Sequence, residues 1–390
     1  MRTRTRRMLL WALAGVAALV AAGVVYLEGD GSAERALPES PEPVVPADPG
    51  PGCGAAAATD PADLRVDRTI ARCGPGAPEP RPLAEPATLR VAIDDRSEAL
   101  APLLVADALG ELEAENLDVE IVDLDQRAAY EAMARGEVDA VVGGVGAAFF
   151  DAVAGGLEAR LVLGGQVARS PSDLDTPQAG LWFRADLVNA RGSWANVRGQ
   201  TILVPGGHGA AATYPIETVL GQHELDVNVV SLVDDSSTNA AARLSAAEVG
   251  AAWLTEPAAS RAARDDALRL VATLPGSETI DGTVFSPRLL GPDRDVGLAY
   301  ARAVVRTINT HLADGYGDEA LAAVAAALDV PEDEVAAGPP PLFDWELRAG
   351  TTTRVQEAFL RTGAVAFEQP LAEDRLVDRS LVAEVVGEGA

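Results

Sequence analysis

The sequence contains no lysine, three histidines and two cysteines in 390 residues. Its 59 acidic side chains outnumber the 31 basic ones, all of them arginines, so the formal net charge is −28. A chain this acidic repels nucleic-acid phosphates unless it carries a dense basic patch, and no such patch follows the first seven residues. The composition therefore argues against a nucleic-acid partner.

Motifs for metal binding and hydrolysis are also missing from the sequence. Two cysteines and three scattered histidines supply no ligand cluster, so no metal site is predicted. There is no G-x-S-x-G elbow, and His208, His223 and His311 have no evident nucleophile partner in the sequence. We therefore predict no catalytic residue and no cofactor. In an enzyme on this chain, Asp94, Asp95 or His208 would be the candidate acid–base groups.

The first 27 residues combine a basic start with a long apolar run. Arginines at positions 2, 4, 6 and 7 precede an uncharged stretch over residues 8–27. As a helix this stretch reaches about 30 Å, the thickness of a hydrocarbon core, and its basic flank places the N-terminus inside. We expect a single-pass membrane anchor over residues 1–27, with the rest of the chain outside the cell. A cleaved signal peptide, leaving a secreted protein, is the alternative, because residues 31–33 offer a small-x-small cleavage site.

Residues 28–86 hold 12 of the 26 prolines and show little apolar periodicity. This composition predicts an extended, partly polyproline spacer that holds the rest of the chain away from the membrane. Neither Cys53 nor Cys73 fits a lipoprotein acylation site. On an exported chain, two cysteines this close in sequence predict a disulfide, which could order a short segment near residues 62–71.

From Leu89 onward, short apolar runs alternate with segments of helical periodicity. LRVAI, DVEIVDL, VDAVVGG and ARLVLGG predict strands, and the rhythm restarts after Gly180 with LWFR, TILV, VNVVSLV and VGAAWL. Such alternation predicts the α/β class, with mostly parallel sheets covered on both faces. The GEVDAVV step is echoed by AEVGAAW, so we predict two similar lobes. Lobe I comprises residues 87–178 and 280–390, with TVFS as a returning strand, and lobe II comprises residues 179–279.

Four loops follow predicted strands at the edge where open α/β sheets bind ligands. They are Asp94-Asp95-Arg96-Ser97, residues 143–146, residues 205–209 and Thr255-Glu256-Pro257. Each loop alone is more often an ordinary turn, but their glycines and helix starts, repeated in both lobes, favour a binding cleft. Residues 207–212 also match the G-x-G-x-x-A dinucleotide fingerprint, a weak match in a chain this rich in alanine and glycine.

The sequence resembles the nitrate/sulfonate/taurine and thiamine-precursor group of periplasmic binding proteins. The likeness spans residues 88–386 and is carried by the GEVDA step and the VPGGHG turn, with LRVAIDD, AAEVGAAWLTEPAAS and DRSLVAEVV around them. The resemblance implies a type II clamshell, which is two doubly wound lobes with two crossovers and a ligand in the cleft. It further implies a monomer without enzymatic activity that delivers solute to the permease and ATPase subunits of an ATP-binding-cassette importer.

The resemblance also implies which residues contact the ligand. The family's cleft contacts would fall on Asp94, Asp95, Gly144, Val145, Gly207, His208, Gly209 and Glu256. Thr255 departs from the family's Trp-Glu-Pro pattern, which removes a stacking residue. The acidic pair favours an amine, an aminopyrimidine or another neutral or cationic heterocycle, whereas Arg96, His208 and the helix starts could hold an anion. A membrane-tethered ligand sensor and an enzyme on the same fold are the alternative functions.

Overall fold

The computed structural model describes residues 41–47, 49–50, 52–53, 58–188, 194–313 and 315–387. The anchor predicted over residues 1–27 lies outside these ranges. Within them, no helix combines the length and the apolar character needed to cross a membrane.

The described residues form two five-stranded sheets and one short ribbon. The strands are β1 (Ala87–Ile93), β2 (Leu117–Asp123), β3 (Ala140–Gly144), β4 (Arg160–Gly164), β5 (Gln166–Val167), β6 (Gly180–Arg184), β7 (Thr201–Val204), β8 (Ser231–Asp234), β9 (Ala251–Leu254), β10 (Leu268–Thr273), β11 (Asp281–Phe285) and β12 (Leu342–Phe343). The first sheet has the order β2-β1-β3-β11-β4 and the second has the order β10-β6-β9-β7-β8, while β5 pairs with β12.

The two sheets share one topology. In the first, β1 is parallel to β2 and β3, and β11 is antiparallel to β3 and β4. In the second, β7 is parallel to β8 and β9, and β6 is antiparallel to β9 and β10. Each antiparallel strand enters its sheet after the chain has left the other sheet, so two crossovers connect them. The predicted pair of doubly wound lobes is confirmed, and so is the return of the chain at TVFS.

Helices cover the sheets. They are α1 (Ala101–Ala108), α2 (Gln126–Ala134), α3 (Ala147–Ala154), α4 (Thr213–Gln222), α5 (Ser237–Ser245), α6 (Ala258–Ala262), α7 (Pro287–Leu290), α8 (Arg294–His311), α9 (Asp318–Leu328), α10 (Glu332–Val335), α11 (Thr351–Thr362) and α12 (Ser380–Gly387). The local sequence determines where α2 begins, because the Asp125 carboxylate accepts the Ala128 N–H at 2.9 Å and caps the helix. Helix α8 packs against α1 and α12 and has a long buried face.

Strand β1 shows why these sheets need apolar runs. Leu89, Val91 and Ile93 point into the core that contains α1 and α8, whereas Ala92 points into the core on the opposite face. Successive side chains of a strand alternate between faces, so a sheet covered on both faces can bury consecutive apolar residues such as Val91, Ala92 and Ile93.

The segment around Arg68 packs against the folded body instead of forming the predicted spacer. Arg68 is 1% exposed and pairs with the buried carboxylate of Asp344 at 2.5 Å. Its Nε donates a hydrogen bond to the backbone carbonyl of Ser277 at 2.9 Å, in the crossover between β10 and β11. Buried ion pairs between distant residues leave no periodic signal in the local sequence, so the composition alone indicated an extended chain.

Covalent and hydrogen bonds hold the rest of this segment in place. A disulfide joins Cys53 to Cys73. The N–H of Cys73 donates to the side-chain oxygen of Asn309 at 3.1 Å, and Arg306 donates to the carbonyl of Pro78 at 3.0 Å. Both partners lie on α8, so the segment is anchored on a helix of the body.

Candidate functional site

A cleft lies where the parallel strands of both sheets end. Loops following β1 and β3 enter it from the first sheet, and loops following β7 and β9 enter it from the second, as expected for open α/β sheets. The cavity measures about 110 Å³. It is lined by Asp94, Asp95, Ser97, Ala99, Leu100, Gln126, Gly143, Gly144, Gln166, Ala179, Pro205, Ala210, Ala211, Ala212, Trp253, Thr255, Leu274, Ile280 and Asp281.

Three carboxyl groups share this lining. Asp94 and Asp95 follow β1 directly, and Asp281 is the first residue of β11. Because β11 is antiparallel to β3, its first residue pairs with Gly144, the last residue of β3, and so lies at the cleft edge. None of the described residues that line the cavity carries a basic side chain. The cleft is therefore acidic.

Burial and mutual repulsion keep the first two carboxyl groups from ionising at their usual pH. Burial, the Asp94 charge and the Asp234 charge, in that order, raise the pKa of Asp95 to about 7. Burial followed by the charges of Asp234 and Asp125 raises the pKa of Asp94 to about 6, against a hydrogen bond from Gln126 that lowers it. A perturbed carboxyl pair in a cleft is a mark of functional sites, although structural clusters also produce it.

Asp281 and Asp95 differ in how many of their carboxyl oxygens are free to accept a hydrogen bond from a ligand. The Oδ1 of Asp281 accepts the Gln166 N–H at 2.7 Å, and burial raises the pKa of the Asp281 carboxyl to about 7. The Oδ2 of Asp95 is buried and has no hydrogen-bond partner within the part of the chain that the structure describes. Over the same residues, no three His, Cys, Asp or Glu side chains are grouped to hold a metal ion. An unsatisfied buried oxygen of this kind is suited to a donor on a ligand.

Glu256, a predicted ligand contact, does not line the cavity but contacts the other lobe. The Glu98 N–H donates to the Glu256 carbonyl at 3.2 Å, and the Tyr316 hydroxyl donates to the Glu98 carboxylate at 3.0 Å. Burial and the Glu256 charge raise the pKa of Glu98 to about 8, and burial raises the pKa of Glu256. The Glu256 carboxylate accepts the Ser260 N–H at 3.0 Å, so it orders its own loop. Its neighbour Thr255 lines the cavity instead.

The predicted glycine loops meet each other across the cleft. A Cβ atom added at Gly144 would lie 3.2 Å from the Ala211 Cβ, and one at Gly146 would lie 2.6 Å from the Gly209 carbonyl oxygen. A Cβ at Gly209 would lie 3.3 Å from the Ala147 Cβ. Real Cβ contacts are seldom this short, so the absence of side chains at these positions lets the loops of the two lobes lie this close together.

The other predicted contacts lie beside the cavity. Val145 is buried in the core, and the His208 side chain is exposed and does not line the cavity. Gly207 has a φ of 62° and packs against Asp234, whose carboxylate accepts the Gly206 N–H at 2.9 Å. These glycines shape a tight turn that only residues tolerant of a positive φ adopt.

Several lining residues escaped the sequence analysis. Gln126 begins α2 and donates from Nε2 to the Gly144 carbonyl at 3.0 Å, and Gln166 lies at the first crossover. Trp253, in β9, is only 4% exposed and also lines the cavity. Of these residues, only Asp281 could have been predicted from the sequence. A strand that returns antiparallel at TVFS begins at the edge where the parallel strands end, which is the edge of the cleft.

The raised pKa values predict that the ligand-free protein loses stability as the pH rises. Asp94, Asp95, Asp281 and Glu98 each bind a proton more tightly when folded than when unfolded. Their stabilising contribution is therefore complete at about pH 4 and is lost as the pH rises through about 6 to 8. We expect a lower melting temperature at pH 8.0 than at pH 5.5 in thermal unfolding. The difference should shrink in Asp95→Asn, and a melting temperature that rises with pH would contradict the assignment.

Comparisons with known proteins agree with this architecture. No protein-family model matches the chain, and no curated protein matches it by sequence. Among solved structures it is similar to the alkanesulfonate-binding protein from Xanthomonas axonopodis pv. citri bound to MOPS, with 20% identity, a TM-score of 0.56, and coverage of 75% of this chain and 99% of that one. It is also similar to the periplasmic nitrate-binding protein from Synechocystis, with 11% identity, a TM-score of 0.57, and coverage of 78% and 89%. The periplasmic aliphatic sulphonate-binding protein from Escherichia coli gives 15% identity, a TM-score of 0.54, and coverage of 75% and 92%. These similarities confirm the type II binding-protein fold.

Proposed function

We propose that this chain is an extracytoplasmic solute-binding protein that captures a small molecule between its two lobes and delivers it to the permease and ATPase subunits of an ATP-binding-cassette importer. The observation that carries the proposal is the cleft, which is lined from both lobes and bordered by close glycine contacts between them. Proteins that clamp a ligand by hinge closure use this arrangement. The similar structures support it, since they are named as sulfonate- and nitrate-binding proteins.

In this proposal the ligand is held mainly from the first sheet. Asp94, Asp95 and Gly144 contact it from the predicted set, and Gln126 and Asp281 join them because they line the same cavity. The glycines of the second lobe act in closure, since Gly209 faces Ala147 across the cleft. The protein works without catalysis: the acidic groups bind the ligand and do not transfer protons to it.

The proposal also assigns the segments of the chain. Lobe I comprises residues 87–178 and 280–390, lobe II comprises residues 179–279, and we add residues 58–86 to lobe I because Arg68 and Cys73 are buried against it. The basic and apolar stretch over residues 1–27 would hold the protein at the outer face of the membrane. The Cys53–Cys73 disulfide supports an oxidising, extracytoplasmic location. A single copy of the chain is sufficient for this role.

Gly209→Val is expected to weaken solute capture about tenfold or more, equivalent to ~1.4 kcal/mol of binding energy. The added side chain would collide with Ala147 across the cleft and keep the lobes apart. The measurement is native mass spectrometry of the full-length protein in mild detergent, after incubation with a small-molecule extract of the growth medium of its host. We expect an adduct on the wild type, at markedly lower occupancy in the variant.

Gly221→Val provides the matched control, because a Cβ at Gly221, in the same lobe, meets nothing within 4 Å. It should retain the adduct. Equal occupancy in Gly209→Val and the wild type would contradict closure over the cleft. Conversion of the bound compound to a new mass over time would favour an enzyme. Absence of any adduct on the wild-type protein would refute the proposal.

A further inference from the structure

We infer that the solute is a small organic cation that presents two or more N–H donors, of the amidinium, guanidinium or amine class. The inference rests on the proposed function, because it names the solute class of the same cleft. Two observations carry it. The cavity is lined by carboxyl groups that can accept hydrogen bonds, and the basic side chains that the sequence offered for an anion, Arg96 and His208, lie outside the lining.

The acceptors come from separate parts of the chain and converge on one small space. Asp94 and Asp95 reach it from the loop after β1, and Asp281 reaches it from the start of β11. Asp95 keeps one buried oxygen without a partner among the described residues, whereas one oxygen of Asp281 is held by Gln166. A ligand with several N–H groups can satisfy such oxygens at once, and charge-assisted hydrogen bonds of this kind are the strong ones.

The basic groups near these loops point elsewhere. Arg96 forms two hydrogen bonds with Asp123, at 3.0 and 2.9 Å, at the exposed surface outside the cavity lining. His208 is exposed and does not line the cavity either. An anion would therefore enter a confined space beside three carboxyl groups without a basic side chain from the described lining. Burying a charge without an opposite partner is costly, so the site discriminates against sulfonate and nitrate.

An aromatic ring adds a second feature that favours a cation. Trp253 lines the same cavity from lobe II, whereas the carboxyl groups belong to lobe I. Tryptophan is the aromatic side chain that attracts organic cations most strongly, and a desolvated setting strengthens the attraction. The cavity of about 110 Å³ is also suited to a compact solute.

The test is calorimetric titration of the full-length protein in mild detergent at pH 8.0. The probes are acetamidine and putrescine, with acetamide as a neutral isostere, choline as a cation lacking N–H donors, and methanesulfonate as an anion. We expect a cation with N–H donors to bind, and the other three probes to bind at least about tenfold more weakly. Acetamide lacks the positive charge, choline lacks the N–H donors, and methanesulfonate lacks both.

Variants then tie the binding to the cleft. Asp95→Asn and Asp281→Asn should each lower the affinity for the bound cation about tenfold or more, since each removes a charged acceptor. Asp123→Asn is the matched control, because its carboxylate is exposed and outside the cavity. Melting curves establish that each variant is folded. Unchanged affinity in both cleft variants would overturn the inference.

The pH dependence gives a readout that a purely structural role would not produce. Asp94, Asp95 and Asp281 line the cavity with raised pKa values, and the charges of Asp234 and Asp125 act on this group from outside the lining, so a cation must displace the protons of the three lining carboxyl groups. Its affinity should therefore rise about tenfold between pH 5.5 and pH 8.0, whereas the affinity for an anion would fall.

The outcomes separate this inference from the proposed function. Binding of methanesulfonate alone, or a neutral or anionic adduct in native mass spectra, would overturn the cation inference and leave solute capture intact. A cationic adduct carrying N–H groups would support both. Absence of binding by every probe, together with absence of any adduct, would refute both.

Discussion

Arg68→Ala is expected to lower the free energy of unfolding by about 3–5 kcal/mol, the usual cost of removing one partner of a buried ion pair. The change leaves the fully buried carboxylate of Asp344 with a weaker partner, Arg348, whose nearest nitrogen is 3.6 Å away. It also removes the hydrogen bond to the Ser277 carbonyl. Chemical denaturation of the full-length protein, read out by circular dichroism, measures the loss.

Arg65→Ala is the matched control, three residues away on the same segment. Its side chain is 71% exposed and pairs with Asp63 at the surface. Such pairs contribute little, so we expect a change within about 0.5 kcal/mol. If Arg68→Ala also cost less than about 1 kcal/mol, the segment would behave as the extended spacer that its proline content predicts.

The Arg68 result bears on function because of where its partners lie. Ser277 is in the crossover between β10 and β11, one of the two connections about which the lobes would move. Asp344 follows β12, which pairs with β5 at the other crossover. Ile70 of the same segment also packs with Val167 of β5, so the segment contacts both crossovers. A truncated protein starting at residue 87 would lack these contacts and is a poor substitute for the full chain in binding experiments.

Glu115→Ala is the second substitution expected to cost about 3–5 kcal/mol, because it strips a shared carboxylate from two buried guanidinium groups. Glu115 is 0% exposed and accepts from Arg302 at 3.0 and 3.1 Å and from Arg306 at 2.8 Å. It also accepts the Arg81 N–H at 3.1 Å, which fixes the chain just before β1. Thermal and chemical unfolding should both report the loss.

Glu113→Ala tests whether this effect is specific. Glu113 lies in the same short turn but is exposed, so we expect a change within about 0.5 kcal/mol. Comparable stabilities of Glu115→Ala and Glu113→Ala would show that the buried cluster does not hold α8 to the loop before β2.

The fold was predictable because its signals are local. The apolar residues of runs such as LRVAI and TILV are buried, as expected for strands covered on both faces. The repeated helix-to-strand step at Gly136 and Ala247 has a matching structural cause: both residues adopt a positive φ just before a buried strand. Two lobes and the return at β11 followed from reading these signals in order.

The site was predictable in position and less so in detail. Loops at the carboxyl ends of strands converge in any such sheet, so Asp94, Asp95 and Gly144 reached the cavity. The direction of a side chain depends on packing between distant residues, and no local pattern encodes it. For that reason the sequence did not show that the Glu256 carboxylate accepts a hydrogen bond from Ser260 and does not line the cavity. The arginine-carboxylate pairs that fix residues 58–86 are likewise long-range.

Solute capture between the lobes is tested most directly by the distance between them. Cys53 and Cys73 are joined to each other, so cysteines introduced at the exposed positions Glu131, in α2, and Asp266, after α6, can carry one spin label in each lobe. Double electron–electron resonance on the full-length protein, freed of bound solute, gives the distance distribution. We predict that adding the growth-medium extract shifts and narrows this distribution, and that Gly209→Val abolishes the shift. A wild-type distribution that stays the same with and without the extract would contradict capture by closure of the cleft.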